Sequence, residues 1–308
     1  MRLAFLGTTG FAVRVLRDLA ASDEHRPALV VTPPDRPRGR GRRLAPPPAA
    51  AAARELGLEL HQTESVNLVG SRQAIAAAEA EIGVVCAFGQ LIRAPLLDEL
   101  EMLNVHPSLL PRWRGAAPIE RAIMAGDSRT GVSIARVTAG LDSGPVALCE
   151  PVHIEPTDDY GSLADRLAAR AGPLTLRALT GWAAGTLAMR AQDDAAATYA
   201  AKIDPAERRL DPARPAVELE RTVRGLTPHI GAYLELEGGA RLGVRRARAA
   251  GGALRGGELA ALDGRLLLGC ADGVLEIEAV HPAGGRTMAS SEYLRGHAVP
   301  RLAGAPAA

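Results

Sequence analysis

The stretch Glu81–Gly89, EIGVVCAFG, constrains the fold of this chain more than any other. It is short, rich in β-branched residues and closed by glycine, which predicts a buried strand. Similar strands are predicted at Arg2–Gly7 and Ala28–Thr32, with helices at about Phe11–Ala21 and Ala49–Leu56. Strands and helices that alternate at this length predict an α/β fold with a Rossmann-like, doubly wound, mostly parallel sheet. In such sheets ligands bind beyond the carboxyl ends of the strands.

The C-terminal third has a different pattern. After a long helical stretch, the apolar periodicity lapses over residues 191–211, which contain several Asp and Pro residues. Alternating runs then surround a Gly-Gly turn at 238–239 and Asp-Gly turns at 263–264 and 272–273. Short strands at this spacing predict a small, OB-like β-barrel. The predicted organisation is a catalytic α/β domain at 1–190, a linker at 191–208 and a C-terminal domain at 209–308.

Composition limits the class of protein. The chain has 308 residues, 47% of them hydrophobic, and a net charge of +1, which is typical of a globular protein with ample chain for a core. The three cysteines (Cys86, Cys149 and Cys270) are scattered in apolar runs, which predicts buried free thiols rather than disulfides or a zinc site. No leader precedes the first strand and no apolar run is long enough to span a bilayer. We therefore expect a cytoplasmic, metal-free and monomeric protein.

A basic loop follows the second predicted strand. Its sequence, PPDRPRGRGRRLAPPP, is too rich in Pro and Gly to predict a regular element. Five arginines stand in nine residues: Arg36, Arg38, Arg40, Arg42 and Arg43. A solvated charge run is one interpretation. Because the loop is expected at the ligand-binding edge of the sheet, phosphate contacts with a nucleic acid or another polyphosphate are favoured.

The segment from Asn104 to Gly144 combines an amide, an imidazole and a carboxylate. Asn104 and His106 are two apart on a predicted strand and so point to the same face. Asp142 lies in a later turn, AGLDSG. Singly, His106 could be a core histidine and Asp142 a turn former. Together they suit acyl transfer, since Asn104 and His106 can donate to a developing oxyanion and the carboxylate can hold the imidazole. GxSxG is absent, which favours direct transfer between two bound substrates over a covalent intermediate.

A different class remains open at the first turn. LGTTGF, at Leu6–Phe11, follows a predicted strand but lacks the third glycine of the dinucleotide-binding pattern. An NADP-dependent oxidoreductase would use Arg36, Arg38 and Arg40 for the 2′-phosphate. A tight strand-to-helix turn without a nucleotide is the simpler interpretation.

The pattern N-x-H-x-S-L-L-P-x-x-R-G, followed by G-L-D-S-G, resembles the signature of formyltransferases that use 10-formyltetrahydrofolate. The resemblance runs nearly end to end and includes the GT-x-x-F opening, the PDRPRGRGRRL loop, LDPARPAVELERTVRGLTPHIGAYLELEG and PAGGRTM. The basic loop and the C-terminal β domain resemble the branch of the family that acts on the methionyl initiator tRNA. A member acting on a sugar nucleotide or another amine stays open as an alternative.

The resemblance implies a reaction and a site. The formyl group would pass from 10-formyltetrahydrofolate to the amino group of methionyl-tRNA through a tetrahedral intermediate, and the catalytic residues would be Asn104, His106 and Asp142. The folate would contact Ser108, Leu109, Leu110, Pro111, Phe88, Gly89, Gln90 and Leu91. The tRNA would contact Arg36, Arg38, Arg40, Arg42 and Arg43, with the C-terminal barrel along the stem. The chain departs from the family pattern with GTTGF for GTP-[DE]-F, AFGQ for AYG and LDP for LDW.

Overall fold

The computed structural model describes residues 1–38 and 41–303. Within them the strands, numbered in chain order, are β1 (Leu3–Gly7), β2 (Pro27–Thr32), β3 (Arg36–Arg38), β4 (Arg43–Ala45), β5 (Leu60–Gln62), β6 (Ile82–Cys86), β7 (Met102–His106), β8 (Arg114–Gly115), β9 (Arg129–Arg136), β10 (Val146–His153), β11 (Tyr199–Ala200), β12 (Ala232–Glu235), β13 (Arg241–Ala250), β14 (Leu259–Leu262), β15 (Arg265–Gly269), β16 (Val274–Pro282) and β17 (Met288–Ala289). The α-helices are α1 (Gly10–Ala20), α2 (Pro48–Glu55), α3 (Val69–Ala77), α4 (Leu96–Glu99), α5 (Pro118–Ala125), α6 (Tyr160–Ala183), α7 (Ala216–Leu226) and α8 (Ser290–Gly296).

The chain divides into two compact units. Unit 1 comprises Met1–Pro118, Arg129–His153 and Ala164–Ala200. Unit 2 comprises Ile119–Ser128, Ile154–Leu163 and the chain from Ala201 onward. The change of unit at Ala200 falls inside the segment predicted as a linker. The exact boundaries of the two domains stay a prediction.

Unit 1 contains a seven-stranded sheet in the order β10-β9-β7-β6-β1-β2-β5. The five strands from β7 to β5 are parallel, and β9 and β10 extend the sheet as antiparallel strands. The predicted doubly wound, mostly parallel sheet is therefore confirmed. Because β2 and β6 flank β1 on opposite sides, the carboxyl ends of β1 and β6 form the topological switch point at which such folds bind ligands. Here the Thr8 hydroxyl donates to the Phe88 carbonyl at 2.7 Å and so joins the loops that follow β1 and β6.

The parallel strands are short apolar runs because both faces of the sheet are covered. On one face Ala4 and Leu6 pack with Leu29, Val31 and Phe88 in a continuous buried cluster. The most apolar run was predicted as a strand over Glu81–Gly89, but β6 ends three residues earlier, at Cys86. Ala87 and Gly89 have φ angles of +45° and +77°, which turn the chain away from the sheet.

The basic loop corrects one prediction. No regular element was expected there, yet β3 and β4 form a short antiparallel hairpin in which Arg36 faces Ala45 and Arg38 faces Arg43. Each strand of a two-stranded hairpin has one side without a partner. Pro37, which has no backbone N–H, is therefore tolerated where that position faces the open side. Gly39 and Arg40 lie outside the described residues.

Unit 2 contains an antiparallel sheet in the order β12-β13-β16-β15-β14, with β17 paired to β16. Helix α7 packs against β13. Asp263 and Gly264, with φ angles of +50° and +74°, form the two-residue turn between β14 and β15. Two positive φ angles are what a type I′ hairpin turn requires. The predicted C-terminal β domain is thus confirmed as an antiparallel sheet whose Asp-Gly turn lies where the sequence placed it.

Cysteine burial departs from expectation at one position. Cys86 and Cys270 are buried, but Cys149 is exposed because it lies on the edge strand β10, whose residues are at most half-buried and alternate with exposed ones from Leu148 onward. Burial raises the pKa of the Cys86 thiol far above its usual range and that of Cys270 to about 11.

We therefore expect a single thiol to react rapidly with a disulfide reagent at pH 8, because only thiolates react and two of the three thiols stay protonated and covered. The measurement is stopped-flow labelling of the native protein, followed by labelling in denaturant. Cys149→Ser is the control and should abolish the fast phase. Two fast thiols in the wild type would contradict this account of β10.

Candidate active site

The three residues predicted to act together lie together. Strand β7 places Asn104 and His106 on one face, and both side chains reach Asp142. The Asn104 amide Nδ2 donates to Asp142 Oδ1 at 2.9 Å, and His106 Nδ1 lies 3.7 Å from Oδ2. His106 is only 4% exposed. An amide, an imidazole and a carboxylate therefore meet at the carboxyl end of a central parallel strand.

Asp142 is held in an uncommon backbone conformation. Its φ is +47°, in the left-handed region that aspartate tolerates better than most residues. The backbone N–H of Gly115 donates to its Oδ2 at 2.8 Å. Gly115 itself has a φ of +121°, and a Cβ there would lie 2.8 Å from the carbonyl oxygen of Ala200. A side chain at position 115 would therefore collide with the Ala200 carbonyl and displace the N–H that binds the Asp142 carboxylate.

The contact of His106 with a backbone carbonyl shows which ring nitrogen carries a hydrogen. Nε2 lies 2.8 Å from the carbonyl oxygen of Trp113. Since a carbonyl only accepts, Nε2 carries a hydrogen. Nδ1 faces the Asp142 carboxylate, so a doubly protonated ring would have a favourable neighbour on each side. Trp113 has a φ of +62°, another left-handed residue beside the site.

The segment Ser108–Pro111 is shaped by two buried hydroxyls. Ser108 is fully buried and donates to the Arg112 carbonyl at 2.6 Å. The Ser133 hydroxyl, on β9, donates to the Ser108 carbonyl at 2.7 Å and accepts from the Leu110 N–H at 3.1 Å. The Ser108 side chain therefore holds the loop, while Leu109, Leu110 and Pro111 remain half-buried. That these residues contact folate stays a prediction.

This support can be measured by replacing Ser133 with alanine. The change leaves a buried carbonyl and a buried N–H without their partner, so the free energy of unfolding should fall by about 1–3 kcal/mol. Urea-induced unfolding is the measurement, and Ser291→Ala, at an exposed serine, is the control and should change stability by less than about 0.5 kcal/mol. Equal stability of Ser133→Ala and wild type would show that the loop does not depend on this hydroxyl.

The loop after β6 contains the other residues predicted to contact folate. The Phe88 ring is buried in the core, and the Gln90 side chain accepts from the Val66 N–H at 2.8 Å and donates to the Thr63 carbonyl at 3.1 Å. Leu91, by contrast, is 53% exposed. Phe88 and Gln90 thus hold the loop, with Gly89 turning it, and Leu91 presents apolar surface to solvent.

Sequence reasoning missed several residues beside the site. Leu141, which precedes Asp142, is 57% exposed and is a second apolar side chain at this edge. Gln192 donates to the Asp142 carbonyl, and the Thr198 hydroxyl accepts from the Trp113 N–H. Leu141 could have been found from the sequence, because an apolar residue between Gly140 and Asp142 in a turn indicates a ligand-facing side chain. Gln192 and Thr198 had none, since they lie in a polar stretch without periodicity.

The arginines of the basic loop differ in their contacts. Arg36 pairs with Glu64 at 3.0 Å. Arg42 and Arg43 are exposed, and within residues 1–38 and 41–303 neither makes an ion pair. Arg38 belongs to β3, and Arg40, one of the five arginines predicted to contact the tRNA, lies outside the described residues. With no ion-pair partner among the described residues, the Arg42 and Arg43 guanidinium groups can bind a ligand.

Unit 2 presents a mixed surface. Arg246 pairs with Glu278 at 2.7 Å and Arg248 with Glu276 at 2.6 Å. Arg241 lies over the Tyr233 ring at 4.4 Å. Charged and aromatic side chains thus lie together on β12 and β13.

No group of three or more His, Cys, Asp or Glu side chains in the described part of the chain is arranged to hold a metal ion. No helix among the described residues combines the length and apolarity needed to cross a membrane.

Comparison with known proteins identifies the family of this chain. The family model for formyl transferase matches residues 1–179, and that for the formyl transferase C-terminal domain matches residues 202–298. A methionyl-tRNA formyltransferase of Cereibacter sphaeroides is 43% identical over 303 residues, covering 98% of both chains. Another, of Halorhodospira halophila, is 44% identical over 300 residues, covering 96% of both.

A solved structure shares the fold. HypX from Aquifex aeolicus, in complex with tetrahydrofolic acid, superimposes with a TM-score of 0.66 at 17% identity, over 96% of this chain and 47% of that one. The oxidoreductase alternative finds no support in these matches. With both family models matched and identity above 40% over almost its whole length, the chain belongs to the formyl transferase family, in the branch of the methionyl-tRNA formyltransferases.

Proposed function

We propose that this chain transfers the formyl group of 10-formyltetrahydrofolate to the amino group of methionine on the initiator tRNA. The product is N-formylmethionyl-tRNA for the initiation of translation. The observation that carries this proposal is the contact of Asn104 and His106 with Asp142 at the carboxyl end of β7. Relatives named for this activity align with the chain over nearly its full length.

Bond formation comes first. The neutral amine attacks the formyl carbon, a C–N bond forms, and the formyl oxygen takes up negative charge in a tetrahedral intermediate. Asn104 uses one N–H for Asp142, and its second can donate to this oxygen. Protonated His106 supplies positive charge. A donor aligned on such an oxyanion is worth about 2.7–4 kcal/mol.

His106 can donate to the oxyanion without giving up its hydrogen bond to the Trp113 carbonyl. Its Nε2–H is bound to the Trp113 carbonyl at 2.8 Å, whereas Nδ1 lies 3.7 Å from Asp142, beyond hydrogen-bond distance. Nδ1 is therefore the nitrogen held more loosely. We assign the oxyanion contact to Nδ1 and the orientation of the ring to Nε2.

Proton transfer completes the reaction. The attacking amine becomes positively charged on bond formation and must lose a proton, which the Asp142 carboxylate accepts directly or through water. The intermediate then collapses, the bond between the formyl carbon and N10 breaks, and N10 takes up a proton. Each proton lost by the amine is balanced by one gained by the folate.

The same edge suits a folate. Apolar walls and a few fixed polar groups are typical of sites for flat, aromatic ligands. Leu91 and Leu141 are exposed on the loops that follow β6 and precede Asp142, and Leu109 and Leu110 are half-buried beside His106. HypX, which has the same fold, binds tetrahydrofolic acid. We therefore propose that the folate contacts the exposed and half-buried members of the predicted set, with Leu141 added, while the buried Ser108 and Phe88 shape the site from beneath.

The tRNA is assigned to the basic loop and to unit 2. Arg42 and Arg43 are exposed and unpaired within the part of the chain that the structure describes, which suits phosphate contacts. The Tyr233–Arg241 pair offers a stacked aromatic and cationic surface, as RNA-binding folds use. We keep the domain boundaries at 1–190 and 209–308, and we propose a monomer acting in the cytoplasm, which holds charged tRNA.

The test is a formylation assay. Purified protein, 10-formyltetrahydrofolate and methionyl initiator tRNA are mixed, and N-formylmethionine is measured after the ester is hydrolysed. We expect multiple turnovers, and faster transfer to initiator than to elongator methionyl-tRNA. Absence of N-formylmethionine with folded protein would overturn the proposal.

A further inference from the structure

Residues 190–200, here called the strap, run along the loops of the proposed active site within unit 1. At one end Arg190 and Val146 exchange two backbone hydrogen bonds of 2.9 and 2.8 Å. At the other end β11 pairs in parallel with β8, placing Tyr199 opposite Arg114. The strap is therefore fixed at one end to the strand that follows the Asp142 turn and at the other end to β8, whose Gly115 N–H binds the Asp142 carboxylate. The sequence had predicted this segment as part of a linker.

Between these ends, Gln192 binds the turn itself. Its Nε2 donates to the carbonyl oxygens of Asp142 at 2.8 Å and Gly144 at 2.6 Å. Its Oε1 accepts from Arg114 Nε at 3.0 Å. Carbonyls only accept and a guanidinium only donates, so the amide can be oriented in one way only. Each polar atom of the Gln192 side chain is used.

Arg114 keeps the amide in place. Its side chain is 3% exposed, and its second contact is an ion pair with Asp194 at 2.7 Å. The Asp194 side chain is 83% exposed, but without it the buried guanidinium would lose its counter-charge, which is costly, so the pair restrains Arg114. The order of contacts thus runs from Asp194 through Arg114 and Gln192 to the Asp142 turn.

We infer that Gln192 is a positioning residue for the proposed formyl transfer, holding the Asp142 turn so that its carboxylate meets both Asn104 and His106. This inference rests on the proposed function. Asp142 needs a φ of +47° to aim its carboxylate, and two carbonyls fixed by one amide restrain that conformation. A misplacement of about 1 Å in a catalytic group can cost about 10²-fold in rate. Gln192 contacts only backbone oxygens of the turn and acts through Asp142.

The strap acts on His106 as well. The Thr198 hydroxyl accepts from the Trp113 N–H at 2.9 Å, and the Trp113 carbonyl accepts from His106 Nε2. Trp113 has a positive φ, so its carbonyl direction needs restraint. One segment therefore orients the partners of both the carboxylate and the imidazole.

The test compares Gln192→Glu, Gln192→Ala and the control Asp193→Ala. Glutamate keeps the length and can still accept from Arg114, but it cannot donate to the two carbonyls. Asp193 is exposed, and its side chain accepts from the Ala195 N–H within the strap. Both Gln192 variants should lower kcat by about 10- to 100-fold with the KM of each substrate unchanged. Gln192→Glu should lower the thermal midpoint modestly, because two carbonyls lose their donor, yet stay fully folded at the assay temperature, and Asp193→Ala should keep wild-type kcat.

A second readout needs no turnover. The Gly115 N–H donates to Asp142 Oδ2, so its hydrogen exchange reports whether the carboxylate is in place. Gln192→Glu should speed this exchange about tenfold, and Asp193→Ala should not. Wild-type kcat or unchanged Gly115 exchange in Gln192→Glu would overturn the inference. If wild type makes no N-formylmethionyl-tRNA but Gly115 exchange still rises, the proposed function fails while the support of Asp142 by Gln192 stands.

Discussion

Replacing Asp142 with asparagine should lower kcat for formyl transfer by about 10²- to 10⁴-fold, the usual contribution of a positioned acid or base. Asparagine has the same shape, tolerates a left-handed backbone and can still accept from the Gly115 N–H. It lacks the negative charge that receives the amine proton and stabilises protonated His106. The loss should therefore appear in kcat, with the KM values of both substrates changed little.

The measurement is single-turnover transfer with saturating 10-formyltetrahydrofolate and methionyl-tRNA. Asp193→Asn, an exposed aspartate on the strap, is the matched control and should retain wild-type rates. A folded Asp142→Asn variant with wild-type turnover would reduce Asp142 to a turn former and leave the proposed mechanism without its base.

Replacing Arg42 and Arg43 together with glutamine should raise the KM for methionyl-tRNA about tenfold and leave that for 10-formyltetrahydrofolate unchanged. Both guanidinium groups are exposed and lack ion-pair partners among the described residues, so a phosphate can bind them directly. Each arginine–phosphate interaction adds about one unit to the slope of log affinity against log salt concentration. Losing two arginines should therefore make that slope for the tRNA shallower by about two.

The experiment is a KM determination for each substrate across a series of salt concentrations. Arg177→Gln, an exposed arginine on α6, is the control for loss of positive charge alone and should keep the wild-type salt slope. An equal rise in the KM of both substrates would contradict a tRNA-specific role and would mean that the hairpin holds the folate site instead.

The parallel sheet could be predicted from sequence because burial on both faces requires continuous apolar runs. Leu3–Gly7 and Ile82–Cys86 are buried at every position, and such runs contain few polar residues. The spacing of Asn104 and His106 could be interpreted because successive side chains on a strand alternate between faces. The hairpin of Arg36–Arg38 with Arg43–Ala45 could not be predicted. Its strands pair through backbone groups, and a segment rich in Pro and Gly has no side-chain pattern typical of strands.

The supports of the site were missed for a different reason. Gln192 binds carbonyls 48 and 50 residues earlier in the chain, and Thr198 binds an N–H 85 residues earlier. Bonds from one side chain to distant backbone leave no periodicity in the sequence. Cys149 was wrongly predicted to be buried because it stands in an apolar run, although that run forms a strand at the edge of the sheet.

The most direct test of the account is a comparison of acceptors with one formyl donor. The value of kcat/KM is measured with 10-formyltetrahydrofolate and, in turn, methionyl initiator tRNA, free methionine and an amino-sugar nucleotide. We expect efficient transfer to the charged tRNA and none detectable to the other two, because only the tRNA engages both the basic loop and the site formed by Asn104, His106 and Asp142. Efficient formylation of the amino-sugar nucleotide, with none of methionyl-tRNA, would contradict this expectation.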